Sequence, residues 1–363
     1  MVARRTVVGY QPEPTAQAAS PPSGGSSVKR KTLGSISPPP KLLPPVPARF
    51  VSSGSTLLDL VLGGGWGRGR VVNIVGDKSA GKTLLAIEAC ANFALHWGFK
   101  RIRYAEAENA FDDAYAATIG MPPGLDLARD IRTIEAWFKD LEAWLKTQTS
   151  GEPCLYVLDS LDSLSDAAEL DRDFENDATY GQNKAKKISE MFRRVIGDIA
   201  NANCTLMVIS QIRDNIGVTF GEKHKRSGGK ALDFYCSQVL WLAQISKLGR
   251  EIRGEKRTIG SKVLAKTKKN KIGIPYREAE LHVIFSYGVD DEISLLNWLT
   301  KTKNDKHLPE GFNAASIAKH LAAAREAQDR EGVKLLHDVL AETVTEAWMA
   351  IERDLAPPMS KYG

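Results

Sequence analysis

Gly76-Asp77-Lys78-Ser79-Ala80-Gly81-Lys82-Thr83 lies between the β-rich run Val71 to Val75 and the apolar helical run Leu84 to Phe93. Gly, four residues, then Gly-Lys-Thr is the spacing of a phosphate-binding loop, in which successive backbone N–H groups curl around a di- or triphosphate. In that arrangement Lys82 reaches the β/γ-phosphates and Thr83 places its hydroxyl on Mg²⁺. The glycines let the backbone approach the ligand as no side chain would allow. Strand, loop and helix occur in the order the motif requires, so the stretch predicts nucleotide binding.

Outward from the loop, β-rich and helical runs alternate from Phe50 on, the pattern of an α/β domain with a mostly parallel sheet. Strands are predicted at Val71 to Val75, Ile102 to Ala105, Leu155 to Leu158, Thr205 to Ser210, Val239 to Ala243, Lys262 to Lys268 and Ala279 to Phe285. Helices are predicted at Leu84 to Phe93, Ile134 to Lys146 and Ala185 to Ala200, and the later strands are close enough for antiparallel pairing. Beyond Gly288, helical spacing at Glu292 to Thr300, Ala314 to Ala327 and Val333 to Leu355, with Asn313 as an N-cap, predicts a small helical carboxy-terminal domain over 289–363.

The 363 residues carry a formal net charge of +5, but the first 50 hold seven Lys/Arg against one Glu, so the remainder sums to −1. Ten of the 17 prolines fall in the same segment, and residues 1–48 are expected to form a disordered, Pro-rich basic arm. A nucleic-acid site on the folded part must then be a local patch. No apolar run reaches the ~18 residues of a membrane span, and Met1-Val2-Ala3-Arg4-Arg5 lacks the apolar stretch of a secretory signal, so a cytoplasmic location is expected. Cys90, Cys154, Cys204 and Cys236 show no metal-ligand spacing and are expected to be buried thiols.

Cys154-Leu155-Tyr156-Val157-Leu158-Asp159 is an apolar strand ending in a carboxylate, which downstream of a phosphate loop suits Asp159 to a water-mediated hold on Mg²⁺. Tyr104-Ala105-Glu106-Ala107-Glu108-Asn109-Ala110-Phe111-Asp112 follows another strand and brings acidic residues to the same sheet edge. Met207-Val208-Ile209-Ser210-Gln211 ends a further strand in a neutral amide, able to bond a γ-phosphate without adding negative charge. Each is also compatible with an ordinary strand cap.

From about Val51 to Gly288 the chain resembles the RecA-family recombinases. The resemblance rests on Gly54-Ser55-Thr56-Leu57-Leu58-Asp59, on Glu106 through Ala116, and on Gln211-Ile212-Arg213 opening a loop that Gly228-Gly229-Lys230-Ala231-Leu232-Asp233-Phe234-Tyr235 closes. Lys269-Asn270-Lys271-Ile272 followed by Pro275 matches the segment that reaches the neighbouring subunit's nucleotide in that family. The resemblance implies a RecA-like P-loop ATPase core over 49–288, ATP and Mg²⁺ as cofactors, and DNA-dependent ATP hydrolysis with strand exchange. Glu108 would activate water, Asp112 and Tyr115 contact adenine, Gln211 couple the γ-phosphate to DNA, and Lys269 and Lys271 act in trans, with Phe234 at the subunit interface.

For DNA, the resemblance implies two loops. The first, about 168–181, includes Arg172, Tyr180 and Gly181, with Ser189 and Arg193 on the following helix; it is acidic, Glu169, Asp171, Asp173, Glu175 and Asp177 facing only Arg172. The second, 214–226, carries Ile216, Val218, Lys223, Lys225 and Arg226, followed by Gly228 and Gly229. Implied partners are single-stranded DNA, homologous duplex and further copies in a helical filament, with single-strand-binding and loader proteins as additional candidates. The Pro-rich arm in place of the family's amino-terminal helix, and the lack of a strongly acidic carboxy-terminal tail, suggest a divergent, phage-type member acting in a bacterial or phage-infected cell. Leu33-Gly34-Ser35-Ile36 is a candidate subunit-docking strand. A ring-forming helicase-like motor and a recombination mediator stay open as alternatives.

Overall fold

The computed structural model describes residues 49–166, 180–214, 224–226 and 229–359; the arm, the Leu33 to Ile36 candidate strand and most of both candidate DNA loops lie outside them. The strands are β1 (Phe50–Val51), β2 (Trp66–Gly67), β3 (Val71–Gly76), β4 (Ile102–Glu106), β5 (Asp126–Ala128), β6 (Cys154–Asp159), β7 (Cys204–Asp214), β8 (His224–Arg226), β9 (Cys236–Ile252), β10 (Glu255–Asn270), β11 (Glu278–Ile284) and β12 (Gly288–Val289). The helices are α1 (Thr56–Leu62), α2 (Lys82–Trp97), α3 (Asp113–Ile119), α4 (Ile134–Thr147), α5 (Tyr180–Asn201), α6 (Gly229–Tyr235), α7 (Asp291–Thr302), α8 (Ala314–Glu326) and α9 (Arg330–Leu355). One large sheet runs β12-β11-β10-β9-β3-β7-β6-β4-β5, with β8 paired to β7 alone. It is parallel from β9 to β5 and antiparallel from β9 to β12.

β3, β6 and β7 are buried on both faces, which is why they read as unbroken apolar runs. Alternate residues enter two cores: Val72 and Ile74 join Leu85, Ile87 and Phe93 of α2 on one face, while Val71 and Val75 join Trp137 of α4 and Phe192 of α5 on the other. The helical carboxy-terminal region shares the first core, since Leu295, Leu299, Ile317, Leu340 and Val344 cluster with Leu57 and Leu58 of α1. Ser55 caps α1 by accepting from the Leu58 N–H and donates its hydroxyl to Asp291 Oδ1 at the start of α7 (2.5 Å). Asn313 caps α8 in a reciprocal box with Ser316, as its position predicts.

β9 and β10 extend well past the predicted Val239 to Ala243 and Lys262 to Lys268, as a 17- and a 16-residue strand joined at Arg253-Gly254. Both turn residues have positive φ, 55° and 77°, the geometry of a tight two-residue hairpin. The outer half, from Gln244 to Arg257, is largely exposed and polar on both faces, so the apolar alternation that marks a strand stops where the hairpin leaves the sheet. α3 and α6 and the short β1, β2 and β5 are further elements that the sequence pattern does not predict: each has two to seven residues, too few for a periodicity to register.

Candidate nucleotide site

β3 delivers the chain to Gly76, where an added Cβ would stand 2.7 Å from the Leu242 carbonyl oxygen of β9. A side chain there would displace the strand. The loop then turns through Ser79 and Gly81, with φ of 62° and 87°, and α2 starts at Lys82, so its free N–H groups and positive dipole end face the loop. Lys82 folds back and donates from Nζ to the Asp77 carbonyl (2.7 Å). Burial lowers the Lys82 pKa, while Glu108, Asp159, Asp162 and Asp77 around it oppose that shift and favour the cation. Together with Lys78 and Ala80, these residues form a concave, cationic cradle suited to phosphate.

Asp159 ends β6 beside the loop. Its Oδ2 accepts from the Thr83 hydroxyl (2.8 Å) and from the Tyr104 hydroxyl (2.7 Å). Its Oδ1 is buried with no hydrogen-bond partner, and burial raises the carboxyl to about 6. An orphaned carboxylate oxygen next to a threonine hydroxyl, at the mouth of a phosphate cradle, is a donor set that suits Mg²⁺, which prefers few protein oxygens plus phosphate and water.

The third part assembles from two strand ends. Glu108 follows β4, and its Oε1 accepts from the Ser160 hydroxyl (2.6 Å) and from Gln211 Nε2 (3.1 Å). Among the described residues no hydrogen bond reaches its Oε2, and the side chain is exposed. Gln211 is itself held, because its backbone N–H donates to Asp162 Oδ2 (2.6 Å). The sequence reading missed Ser160 and Asp162, although both follow the Asp159 strand directly. Glu106, four residues before Ala110, is buried and accepts from the Ala110 N–H (3.1 Å), a role inside the turn.

A cavity of about 490 Å³ opens over these groups, lined by the loop, Glu108, Tyr115, Asp159 and Gln211, with Ser261, Val283 and Phe285 of the β10–β11 side as its far wall. Sequence reasoning does not find that wall, since nothing in an antiparallel strand's sequence says which cleft it borders. Asp112 is the N-cap of α3: its Oδ1 accepts from the N–H groups of Ala114 (2.9 Å) and Tyr115 (3.0 Å). Tyr115 thus reaches the cleft from a helix that Asp112 anchors.

Lys269 and Lys271 are not part of this cleft. At the end of β10 and just beyond it, they donate to the carbonyls of Asp233 and Phe234, in the latter case at 3.2 Å, and Lys271 Nζ sits 5.7 Å from the Phe234 ring centroid. Both cations therefore cap the carboxyl end of α6, where the helix dipole favours them. Phe234 is 69% exposed. On α5, Ser189 is half-buried and its carbonyl accepts from the Tyr235 hydroxyl (3.3 Å), while Arg193 is exposed. Tyr180 and Gly181 begin α5, Lys225 and Arg226 lie in β8, which pairs antiparallel with β7, and Gly229 begins α6. Arg172, Ile216, Val218, Lys223 and Gly228 lie outside the described residues. All four cysteines are free and buried, and among the described residues no helix is long and apolar enough to cross a membrane.

Comparison with known proteins places the chain in a family. The RecA N-terminal domain family matches residues 45–290. "Protein RecA" of Nostoc punctiforme is 35% identical over 239 residues, 66% of this chain and 64% of that protein. "Protein RecA" of Prochlorococcus marinus (strain AS9601) is 33% identical over 252 residues, 69% of this chain and 66% of that protein. The chain thus spans just under two thirds of the length of these curated relatives. A solved RadB recombinase structure superposes with a TM-score of 0.47 at 17% identity, covering 66% of this chain and 98% of that one. With the family match extending over well over half of its residues, the chain belongs to the RecA family.

Proposed function

We propose that this protein is an ATP-dependent recombinase that assembles as a helical filament on single-stranded DNA, pairs it with homologous duplex and exchanges strands. The observation that carries the reading is the Gln211–Glu108 contact of 3.1 Å. It joins a water-orienting carboxylate to an amide on β7, the strand that runs on to Asp214 and toward the second candidate DNA loop. A shift of that loop on DNA would move Gln211, and Gln211 in turn holds Glu108.

In this reading ATP is the substrate. Lys82 offsets charge on its phosphates, and Glu108, held through Oε1, presents Oε2 to the attacking water. Mg²⁺, held by Thr83 and through water by Asp159, would supply charge neutralisation at the phosphates. Tyr115 would pack on the adenine, with the Asp112 carboxylate beside it. Lys269 and Lys271 would complete the site of a neighbouring copy, neutralising charge on the transferring phosphoryl as an arginine finger does. Phe234, exposed beside them, would bury itself in that contact.

DNA would be held by Arg172, Tyr180, Gly181, Ser189 and Arg193 and by the segment from Ile216 and Val218 through Lys223, Lys225, Arg226, Gly228 and Gly229. Backbone contacts and stacking need no base-specific donors, leaving sequence to be read by base pairing. Single-strand-binding and loader proteins are the expected accessory partners, and the bacterial cytoplasm, including that of a phage-infected cell, is the expected location.

The test is electron microscopy with single-stranded DNA and a slowly hydrolysed ATP analogue, paired with a strand-exchange assay. Nucleotide-dependent filaments that exchange strands are expected. Closed rings, or filaments without exchange, would instead point to a helicase-like motor or a mediator.

A further inference from the structure

A second cavity lies apart from the nucleotide cleft and is the larger of the two. It measures about 980 Å³ and lies between the exposed part of the β9–β10 hairpin, the end of β11 and the start of α9. Its floor is apolar, formed by Ile259, Ile284, Tyr287 and Val333. Three cations stand at its rim: Arg250 on the hairpin, and Arg330 and Lys334 one turn apart on α9. All three are exposed.

The charges inside the cavity differ in how they are used. Arg325 forks onto Asp290 with two bonds of 2.7 Å and reaches Glu292 at 2.8 Å. Asp329 caps α9 through the Gly332 N–H (2.9 Å). His337 lies 3.2 Å from Asp291. The carboxylates lining the cavity are therefore engaged, whereas no ion pair or hydrogen bond engages the side chains of Arg250, Arg330 or Lys334 among the described residues. Arg330 and Lys334 also sit on the first turns of a 26-residue helix, at its positive end, where the dipole disfavours cations. Such a placement opposes helix stability and raises the potential over the apolar floor.

We infer that this cavity is a docking site for an acidic protein segment that carries a bulky apolar side chain, the side chain filling the floor and the carboxylates meeting Arg250, Arg330 and Lys334. An apolar anchor ringed by polar contacts is the usual energetic plan of a small interface. The chain's own arm is excluded by its charge, a net +6 over the first 50 residues. A nucleic-acid backbone fits less well, since a phosphodiester chain carries no apolar side chain to fill the floor of Ile259, Ile284, Tyr287 and Val333. The cavity is also one β-ribbon away from the nucleotide cleft: Ile259 and Ile284 face it while Ser261, Val283 and Phe285 face the cleft.

The experiment uses the full-length protein and a fluorescein-labelled peptide, Asp-Glu-Asp-Phe-Asp-Glu, followed by anisotropy. Saturable binding is expected, weakened at least tenfold when the Phe is replaced by Gly and at least tenfold by R330E/K334E. ATP hydrolysis without peptide should be unchanged in that variant, which verifies its fold. No saturable binding up to millimolar peptide, or equal binding by the Gly peptide or by the variant, would overturn the inference. So would a variant that keeps peptide affinity but loses affinity for a 20-base-pair duplex, which would assign the cavity to nucleic acid. A variant that keeps peptide affinity but alters self-association by sedimentation would assign it to a second copy.

Discussion

The carboxyl-terminal parts of β3, β4, β6 and β7 and that of β10 both lead to long polar side chains, yet the first set converges and the second does not. Lys82, Glu108, Asp159 and Gln211 meet over one cavity, linked directly or through Thr83 and Ser160. Lys269 and Lys271 turn instead to the last carbonyls of α6. One chain thus holds a phosphate-loop cradle and an exposed carboxylate together, while two further cations lie against the helix that carries exposed Phe234. The contrast is that the parallel half of the sheet supplies the charged and amide groups of the cleft and the antiparallel half only its far wall, while Lys269 and Lys271 are turned away from the cleft of their own chain.

The largest effect is expected at the cradle. Lys82→Ala should lower ATP turnover by at least about 10²-fold, because Lys82 is the buried cation of the cradle and Lys78, the other lysine lining the cleft, is exposed, as phosphate release would measure. Unchanged turnover would remove the parallel half from the chemistry altogether. Next, Glu108→Gln should slow hydrolysis by about 10²-fold while leaving nucleotide affinity within about threefold, since Oε1 keeps its partners and only the base is lost. An equal loss of affinity would make Glu108 a binding group instead.

Much of this was legible in the sequence, and the reason is physical. A strand buried on both faces is largely apolar, so a long polar residue where the burial ends stands out, which exposed Asp159 at the end of β6 and Gln211 just past the buried part of β7. Glu108 was one of several carboxylates just past such a strand, and only the resemblance to the RecA family singled it out. The phosphate loop is local, with every interacting group inside eight residues. By contrast, the partners of those residues come from elsewhere in the chain: Ser160 reaches Glu108 across 52 positions and Asp162 reaches Gln211 across 49. Short polar side chains of that kind carry no periodicity. The β9–β10 extension was hidden because its exposed residues follow neither strand nor helix patterning, and the far wall of the cleft because a contact between distant strands leaves no local mark.

A moderate effect is expected at the link to DNA. Gln211→Ala should reduce the stimulation of hydrolysis by single-stranded DNA about tenfold and change the DNA-free rate little, because the amide positions Glu108 without reacting. Comparing the two rates separates coupling from catalysis; a parallel fall in both would place Gln211 in the chemical step.

The smallest effect concerns Glu88, on the buried side of α2, where it accepts from the Val289 N–H (2.7 Å) at the junction with the antiparallel half. Burial raises its carboxyl from 4.5 to about 7. The folded state then holds this proton more tightly than the unfolded chain does, so stability is lost as pH rises from 4.5 to about 7 and the penalty is constant above that. Glu88→Gln keeps the acceptor and removes the charge. It should stabilise the protein at pH 8 by about 1 kcal/mol and much less at pH 5, as thermal melts at the two values would report.

In the proposed function catalysis is divided between copies, the cradle and Glu108 of one acting with Lys269 and Lys271 of the next. The most direct test of that division mixes two variants, E108Q and K269A/K271A, on single-stranded DNA and measures ATP hydrolysis against each alone. In a head-to-tail assembly one interface type in the mixture has an intact Glu108 facing intact lysines, so roughly a quarter of wild-type activity should return. A mixture no more active than the sum of its components would contradict the division and return both lysines to the chain that carries them.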